Sequence, residues 1–360
     1  MGERTYPLAI EHITPQWLTA VLRERYPDCE VLAASPTEVM HGTATKIRLQ
    51  LTYQRSLRGL PQTIVVKGGF SAHRELMYRE YKLEALFYRD VAPRLQGVRI
   101  PICHYAGWND EQRQAIVLLD DLDAAGASFC RVQRPLSFAQ ASGFVDALAQ
   151  LHGQWWMRDE FAAGNSLGGV EDLDPFPDGP LGTYQRSRIQ PAVYAECMAL
   201  PRGLAVSHRF HDRDRMEQAL ERLRKVDREG PRCLLHTDPH LGNLYFDSQS
   251  LPGILDWQSL RRGPWAHDLN YFIVSSLDML DRREWEKPLL SRYLARLRDC
   301  GVTPPTLEQA WEEYRRHTVY GLYYWLVNPV EFQTEVNNCA VAPRFAFAAI
   351  DHDTFSLLGL

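Results

Sequence analysis

The chain has 360 residues, 45% of them hydrophobic and 24% charged, with a formal net charge of −5. That length holds one large two-lobed domain or two modest ones, and the apolar share fills a core. The acidic balance offers no basic surface for a nucleic-acid backbone, which excludes that class of partner. The seven cysteines stand at 29, 103, 130, 197, 233, 300 and 339 with no CxxC pattern, and read as buried thiols of a reducing compartment.

The opening residues, MGERTYPLAIEHITPQWL, carry no charged-then-apolar run of a secretion signal, and Tyr6 stands where a myristoylation motif wants serine or threonine. No apolar run approaches the roughly 18 residues that span a bilayer. The expectation is a soluble, cytoplasmic protein with a small-molecule partner and no membrane or nucleic-acid partner. Nothing in the sequence speaks to oligomeric state.

Lys46-Ile-Arg-Leu-Gln-Leu-Thr-Tyr53 alternates as a half-buried strand does, and Thr63-Ile-Val-Val-Lys67 is a short β-branched run. A polar turn around Arg58-Gly-Leu-Pro61 separates them. A helix is expected over 72–91, with Leu76, Tyr81, Leu83, Leu86 and Phe87 near helical spacing and Pro93 ending it. Strand-like runs follow at 99–105 and 115–119, so the first part reads as a small sheet with one helix on it. Asp120-Asp-Leu-Asp-Ala-Ala-Gly126 reads as a linker. Helical periodicity then dominates, over 136–156, 182–199, 212–228, 267–280, 285–300 and 307–328. A Gly/Pro/Asp-rich irregular loop is expected at 164–179, and short strand-like pieces at 232–236 and 253–256. The fold class is α+β: a small β-rich lobe over 1–120, a hinge at 121–127 and a larger helical lobe over 128–360.

The chemistry concentrates in His236-Thr-Asp-Pro-His-Leu-Gly-Asn243. Phosphoryl transfer needs an aspartate to orient a hydroxyl and take its proton, oxygen ligands for Mg²⁺, and a cation on the phosphates. His236, Asp238 and Asn243 reproduce the H-R-D-x-x-x-x-N spacing of a kinase loop, in which base and metal-binding Asn stand five residues apart. Gly242 allows a tight path before the Asn. Asp256 follows 13 residues later, after the apolar Gly253-Ile-Leu255, where a kinase has its second metal-binding aspartate. Asp238 taken alone would read as a turn residue; three groups at this spacing, flanked by strands, read as a site.

His236-Thr-Asp-Pro-His-Leu-Gly-Asn243 with Ile254-Leu-Asp-Trp257 resembles the aminoglycoside phosphotransferase and choline-kinase-like superfamily, nearest to bacterial relatives of ecdysteroid kinases. Gly263-Pro-Trp-Ala-His-Asp268-Leu resembles the downstream element of that superfamily. The resemblance runs from about Val39 to the C-terminal helices. It implies a protein-kinase-like fold and an ATP- and Mg²⁺-dependent small-molecule kinase, with Asp238 as base, Asn243 and Asp256 as metal ligands, and Asp268 bracing the loop. Lys67, at the end of an apolar run, resembles the phosphate-binding lysine. Its partner is Glu84 or Glu80, with Glu84 preferred because Glu84-Ala-Leu-Phe-Tyr88 matches the E-x-x-F-Y pattern; the other is expected on a solvated helix face. Gly42, Thr43 and Thr45 take the place of the phosphate-covering loop. Leu118-Leu-Asp-Asp-Leu122 matches the hinge that reads adenine, with Leu119 and Asp121 as the cofactor-binding positions, although Asp121 also reads as a linker residue.

Two other readings use the same residues. His236, Asp238 and His240, with Asp256, His267 and Asp268, form the outline of a metal-dependent hydrolase, which leaves Asn243 and Lys67 without a role. A catalytically inert pseudokinase serving as a binding module keeps the fold and loses the transfer. For the acceptor, Tyr320, Tyr323, Tyr324 and Trp325 crowd one stretch too densely to face a single core. They suggest a hydrophobic hydroxylated metabolite or antibiotic: a steroid, a macrolide-like compound or a hydroxyacyl thioester. A choline-like cation, held by cation–π contact, and an aminoglycoside are the competing acceptors.

Overall fold

The computed structural model describes residues 5–55 and 59–360. The Met1-Gly2 start and Arg58 of the expected turn lie outside the described residues.

Thr14 caps α1 (Pro15–Leu22) by accepting the Trp17 N–H, and Pro15 occupies the first turn, where its missing N–H leaves no bond unmade. Five antiparallel strands follow: β1 (Val31–Met40), β2 (Thr45–Tyr53), β3 (Thr63–Gly68), β4 (Cys103–Asn109) and β5 (Gln114–Asp120), in the order β1-β2-β3-β5-β4. Leu18, Val21 and Leu22 of α1 pack with Ile47, Leu49, Ile64 and Val66 to cover one face of this sheet. On the other face lies α2 (Arg74–Leu86), which passes through a π turn (Phe87–Val91) and stops in the 3₁₀ turn containing Pro93.

The helical lobe opens with β6 (Ser128–Phe129) and α3 (Phe138–Gln154), whose start is fixed by a Ser137/Gln140 capping box. The irregular stretch is followed by α4 (Pro180–Arg188), α5 (Pro191–Ala199), α6 (Pro201–Leu204) and α7 (Arg213–Asp227). Next come β7 (Cys233–Leu235), β8 (Leu244–Phe246), β9 (Pro252–Ile254) and β10 (Arg261–Gly263), which pair as β10-β7 and β6-β8-β9. Every residue of α8 (Ala266–Ser276) is buried, and α9 (Met279–Asp299), α10 (Leu307–Arg316), α11 (Thr318–Val327), α12 (Glu335–Asp351) and α13 (Thr354–Leu357) complete the lobe around it. No helix among the described residues is long and apolar enough to cross a membrane.

The expected α+β class, a small sheet with a helix on it beside a larger helical part, is what forms; that the strands pair antiparallel is read from the structure. The differences have local causes. The helix expected over 182–199 breaks at Gln190, because Pro191 has no N–H to continue it and starts α5 instead. The one expected over 307–328 breaks at His317. β4 begins at Cys103 rather than 99, and β1, α1 and α12 were not anticipated.

Candidate functional site

Loop 236–243 leaves β7 and is shaped almost wholly by buried hydrogen bonds. The Asp268 carboxylate accepts the backbone N–H groups of His236 (2.7 Å) and Thr237 (2.8 Å). Thr237 has φ 69°, a left-handed conformation that a β-branched residue adopts only when its surroundings impose it. Asp268 also takes a bond from His152 Nε2 at 3.1 Å, and His152 Nδ1 meets the Tyr293 hydroxyl at 2.6 Å. Burial opposes ionisation of Asp268, yet the bond from His152 holds its carboxyl below the usual range. His236 Nδ1 accepts the Asp238 N–H (3.2 Å), while its Nε2 donates to the Leu255 carbonyl (3.0 Å). His240 Nδ1 accepts the Gly242 N–H (3.0 Å). Among the described residues no group of three or more His, Cys, Asp and Glu is placed to hold a metal. With both ring nitrogens of His236 bound to backbone, the hydrolase outline loses its first ligand.

Asp238 projects from this loop with 37% of its side chain exposed. Burial of its base pushes the carboxyl above the usual range against the pull of His240 and His236. Asn243 Nδ2 donates to the Asp238 carbonyl (2.9 Å) and to its carboxylate (3.1 Å), tying the two ends of the motif together.

Asp256 follows β9 in a left-handed conformation, φ 66° and ψ 66°. Lys67 Nζ lies 2.7 Å from its Oδ1 and 2.7 Å from Glu84 Oε2, and all three side chains are buried. Burial disfavours the charge on Lys67, but Asp256 and Glu84 overcome it and raise its pKa; the same pairing drives the Asp256 pKa down against its own desolvation. Glu80 is not on a solvated face. It is 2% exposed and bonded at 2.9 Å by Arg261, itself buried beside the cleft. The reason is that α2 lies against the segment after Asp256: Phe87 stacks on Trp257 at 3.9 Å and 6°, which turns the 80/84 face of the helix inward. Lys46 is a residue the sequence reading missed. The β2–β3 register sets it opposite Lys67, and its Nζ reaches Asp256 Oδ2 at 3.5 Å. Two lysines facing each other repel; the carboxylate between them reconciles the pair.

The other expected cofactor positions divide. Gly42 and Thr43 line the cleft, and the Thr43 carbonyl is held by His73 Nε2 (2.9 Å) and the Tyr81 hydroxyl (2.5 Å), which fixes the loop onto α2. A Cβ on Gly42 would meet only the Ala44 carbonyl at 3.7 Å, so the fold itself does not demand glycine there. Thr45 starts β2 with its hydroxyl fully buried and without a hydrogen-bond partner among the described residues, outside the cleft lining. Leu119 packs in the core, and the Asp121 carboxylate is engaged by Arg48 Nε at 3.1 Å rather than turned to the cleft.

A cavity of about 480 Å³ opens from the loop between the lobes. Asp238, Asn243, Asp256, Lys46 and Thr43 line it together with Tyr320, Tyr323, Tyr324, Trp325 and Phe332. The aromatic wall reaches the loop itself, since Trp325 meets the His240 ring at 5.3 Å and Phe332 the His73 ring at 5.5 Å. The expectation that the 320–325 aromatics cannot share one core does not hold: Tyr320, Tyr323 and Trp325 are buried in a single core cluster, with Tyr324 packed against it, and all four also line the cavity. Arg188, Arg261 and Tyr271 line it too and carried no sequence signal, since only the packing of α4, β10 and α8 brings them there. Asn243 and Asp256 offer side-chain oxygens, the hard donors Mg²⁺ prefers, on neighbouring turns joined by the Leu255 N–H to Asn243 carbonyl bond (3.0 Å). The donor set therefore fits a magnesium–nucleotide complex.

Among solved structures, the chain is similar to the ethanolamine kinase of Plasmodium vivax (11% identity, 94% of this chain and 87% of that one, TM-score 0.55). It is also similar to LicA, a choline kinase of Streptococcus pneumoniae, in its complex with AMP (14% identity, 93% and 99%, TM-score 0.50). Those identities speak to the fold. Comparison with curated protein sequences gives no match. The model of the phosphotransferase enzyme family (APH) matches residues 79–317, well over half the chain and the whole of loop 236–243. The chain belongs to that phosphotransferase enzyme family and is a small-molecule phosphotransferase.

Proposed function

We propose that the protein transfers the γ-phosphoryl group of ATP to an alcohol of a small, hydrophobic hydroxylated metabolite or antibiotic, with Asp238 as the base. The observation that carries this reading is the convergence of Asp238, Asn243, Asp256 and Lys46 in the lining of a single 480 Å³ cavity, with Lys67 behind Asp256. In this reading residues 1–120 form the nucleotide-binding lobe, 121–127 the hinge and 128–360 the acceptor-binding lobe, with backbone groups of Leu118–Leu122 meeting adenine.

The acceptor hydroxyl donates to the Asp238 carboxylate, whose raised pKa suits a group that must take a proton. As the acceptor oxygen bonds to the γ-phosphorus, its proton passes to Asp238 and the bond to the β,γ-bridging oxygen breaks, releasing ADP. Asn243 and Asp256 would hold Mg²⁺, which neutralises charge on the phosphate oxygens. Lys67, kept charged by Glu84 and Asp256, and Lys46 hold the phosphates. The phosphate loop contributes Gly42 and Thr43 rather than Thr45, whose hydroxyl is buried away.

The aromatic lining supports an apolar or amphipathic alcohol over a polycation. A screen of hydroxylated lipids, steroids, macrolides and aminoglycosides for an ATP-dependent mass gain of one phosphate tests the reading. Phosphorylation of an apolar alcohol by wild type, abolished in Asp238→Asn with nucleotide binding retained, is the expected result. Turnover of aminoglycosides alone overturns the acceptor class, and inertness toward every alcohol favours a binding module.

A further inference from the structure

The charges that line the cavity are not all paired. Four carboxylates line it. Asp238 and Asp256 belong to the transfer site; Glu80 is held by Arg261 at 2.9 Å, and Asp174 by Arg224 at 2.6 Å. Apart from Asp238 and Asp256, the lining thus keeps no unpaired acid among the described residues to receive a cationic ligand. Of the cations, Lys46 faces Asp256 and Arg261 faces Glu80. Arg188 alone among the lining arginines and lysines forms no ion pair among the described residues: its Nε donates to the Val327 carbonyl (3.1 Å) and one terminal nitrogen to the Cys197 sulfur (3.1 Å). Those two neutral bonds hold the guanidinium in place without answering its charge. Arg188 and Tyr184 stand four residues apart on α4 and so share a face, and the Tyr323 hydroxyl of α11 donates to the Gln185 carbonyl (3.3 Å) to fix that face against the aromatic wall.

We infer that Arg188 is a specificity-determining residue, and that the acceptor is an amphiphile bearing an oxyanion, carboxylate or phosphate, which this guanidinium binds while the hydroxyl lies at Asp238. An arginine with its charge unanswered in a partly closed, tyrosine-lined chamber attracts an oxyanion through charge-assisted bonds and repels an amine. This inference rests on the reading of the cavity as the acceptor site.

The test uses the full chain with Mg-ATP analogue bound and follows acceptor binding through intrinsic tryptophan fluorescence, Trp325 being in the wall. The ligands are ω-hydroxy carboxylates of graded length, the matching ω-hydroxyalkyl phosphates, the methyl esters of the carboxylates, and the corresponding amino alcohols. At one length or more, an acid should bind about tenfold to a hundredfold more tightly than its ester or amine, the range expected for a charge-assisted bond. Arg188→Gln should remove that preference while leaving ester binding and nucleotide binding unchanged, and Arg188→Lys should restore part of it. The carboxylate and phosphate arms distinguish the two oxyanions. Esters or amines binding as tightly as the acids overturn the inference, whether or not the Gln variant folds. Equal weakening of acid and ester in a folded Arg188→Gln also overturns it. Phosphoryl transfer is read separately: selective binding of acids without transfer counts against the kinase reading and leaves the role of Arg188 standing.

Discussion

Two parts of the cleft keep their charges in opposite ways. In the phosphate part Lys67 sits between Glu84 and Asp256, Lys46 adds to Asp256, and Asp268 is bonded by His152 and by two backbone N–H groups. The rest of the lining is rich in tyrosine, tryptophan and phenylalanine, and Arg188 there forms no ion pair among the described residues. Groups paired in advance need no reorganisation when charge develops, which suits a step common to every acceptor. Walls made of rings, with one unanswered charge, leave recognition to be completed by the ligand. In the proposed reading, chemistry rests on the paired charges and selectivity on the rings and Arg188.

Substitutions in the two parts should therefore fail differently. Asp238→Asn should lower kcat by about 10²–10⁴-fold, the range for a lost general base, with nucleotide binding retained in equilibrium dialysis. A loss under tenfold breaks the assignment of the base. Lys67→Met leaves Glu84 and Asp256 buried against each other, so it should destabilise the fold by about 3–5 kcal/mol in urea titration and abolish nucleotide binding. If Lys67→Met melts like wild type, the phosphate part is not the paired network described.

Asp268→Ala strands the N–H groups of His236 and Thr237 and should cost about 2–4 kcal/mol, with kcat falling and acceptor KM little changed. Acid should weaken the same region. Burial lowers the His267 pKa to about 4, and the rings of His236 and His352 are lowered by burial as well. Such groups take up protons on unfolding, so their contribution is whole above about pH 6.5 and is lost as the pH falls towards the folded value. For His267 alone that amounts to roughly 3 kcal/mol. Urea midpoints should drop between about pH 7 and about pH 5, and His267→Gln should flatten the slope. In the acceptor part Tyr324→Phe removes a hydroxyl that donates to the Pro175 carbonyl at 3.1 Å. It should cost about 1 kcal/mol and raise the acceptor KM while leaving the KM for ATP alone, the smallest effect and the clearest separation of the two parts.

Much of the phosphate part was legible in order along the chain. Strand alternation gave β2 and β3, Pro93 gave the end of α2, and the spacing of Asp238, Asn243 and Asp256 gave a loop whose chemistry depends on local backbone geometry. Lys46 escaped because its relation to Lys67 is a cross-strand register, and register needs the turn length as well as the pattern. Glu80 was placed in solvent because one turn of helix separates it from Glu84, and only the stacking of Phe87 on Trp257 decides that both face inward. Thr45 and Asp121 looked available to a ligand because burial and the Arg48 ion pair cannot be read from their neighbours in sequence.

What the sequence determined alone is the set of short-range features: the strands of a small sheet, the helical lobe, and a motif whose residues are five and 13 positions apart. What only the tertiary structure decided is which side chains meet across lobes. Arg188 comes from α4, the tyrosines from α11 and Asp238 from the loop after β7, and nothing local fixes their distances. Those contacts are set by packing, of α11 and the loop on the buried α8 and of α4 on α2 and α5, and packing of that kind depends on the whole core at once.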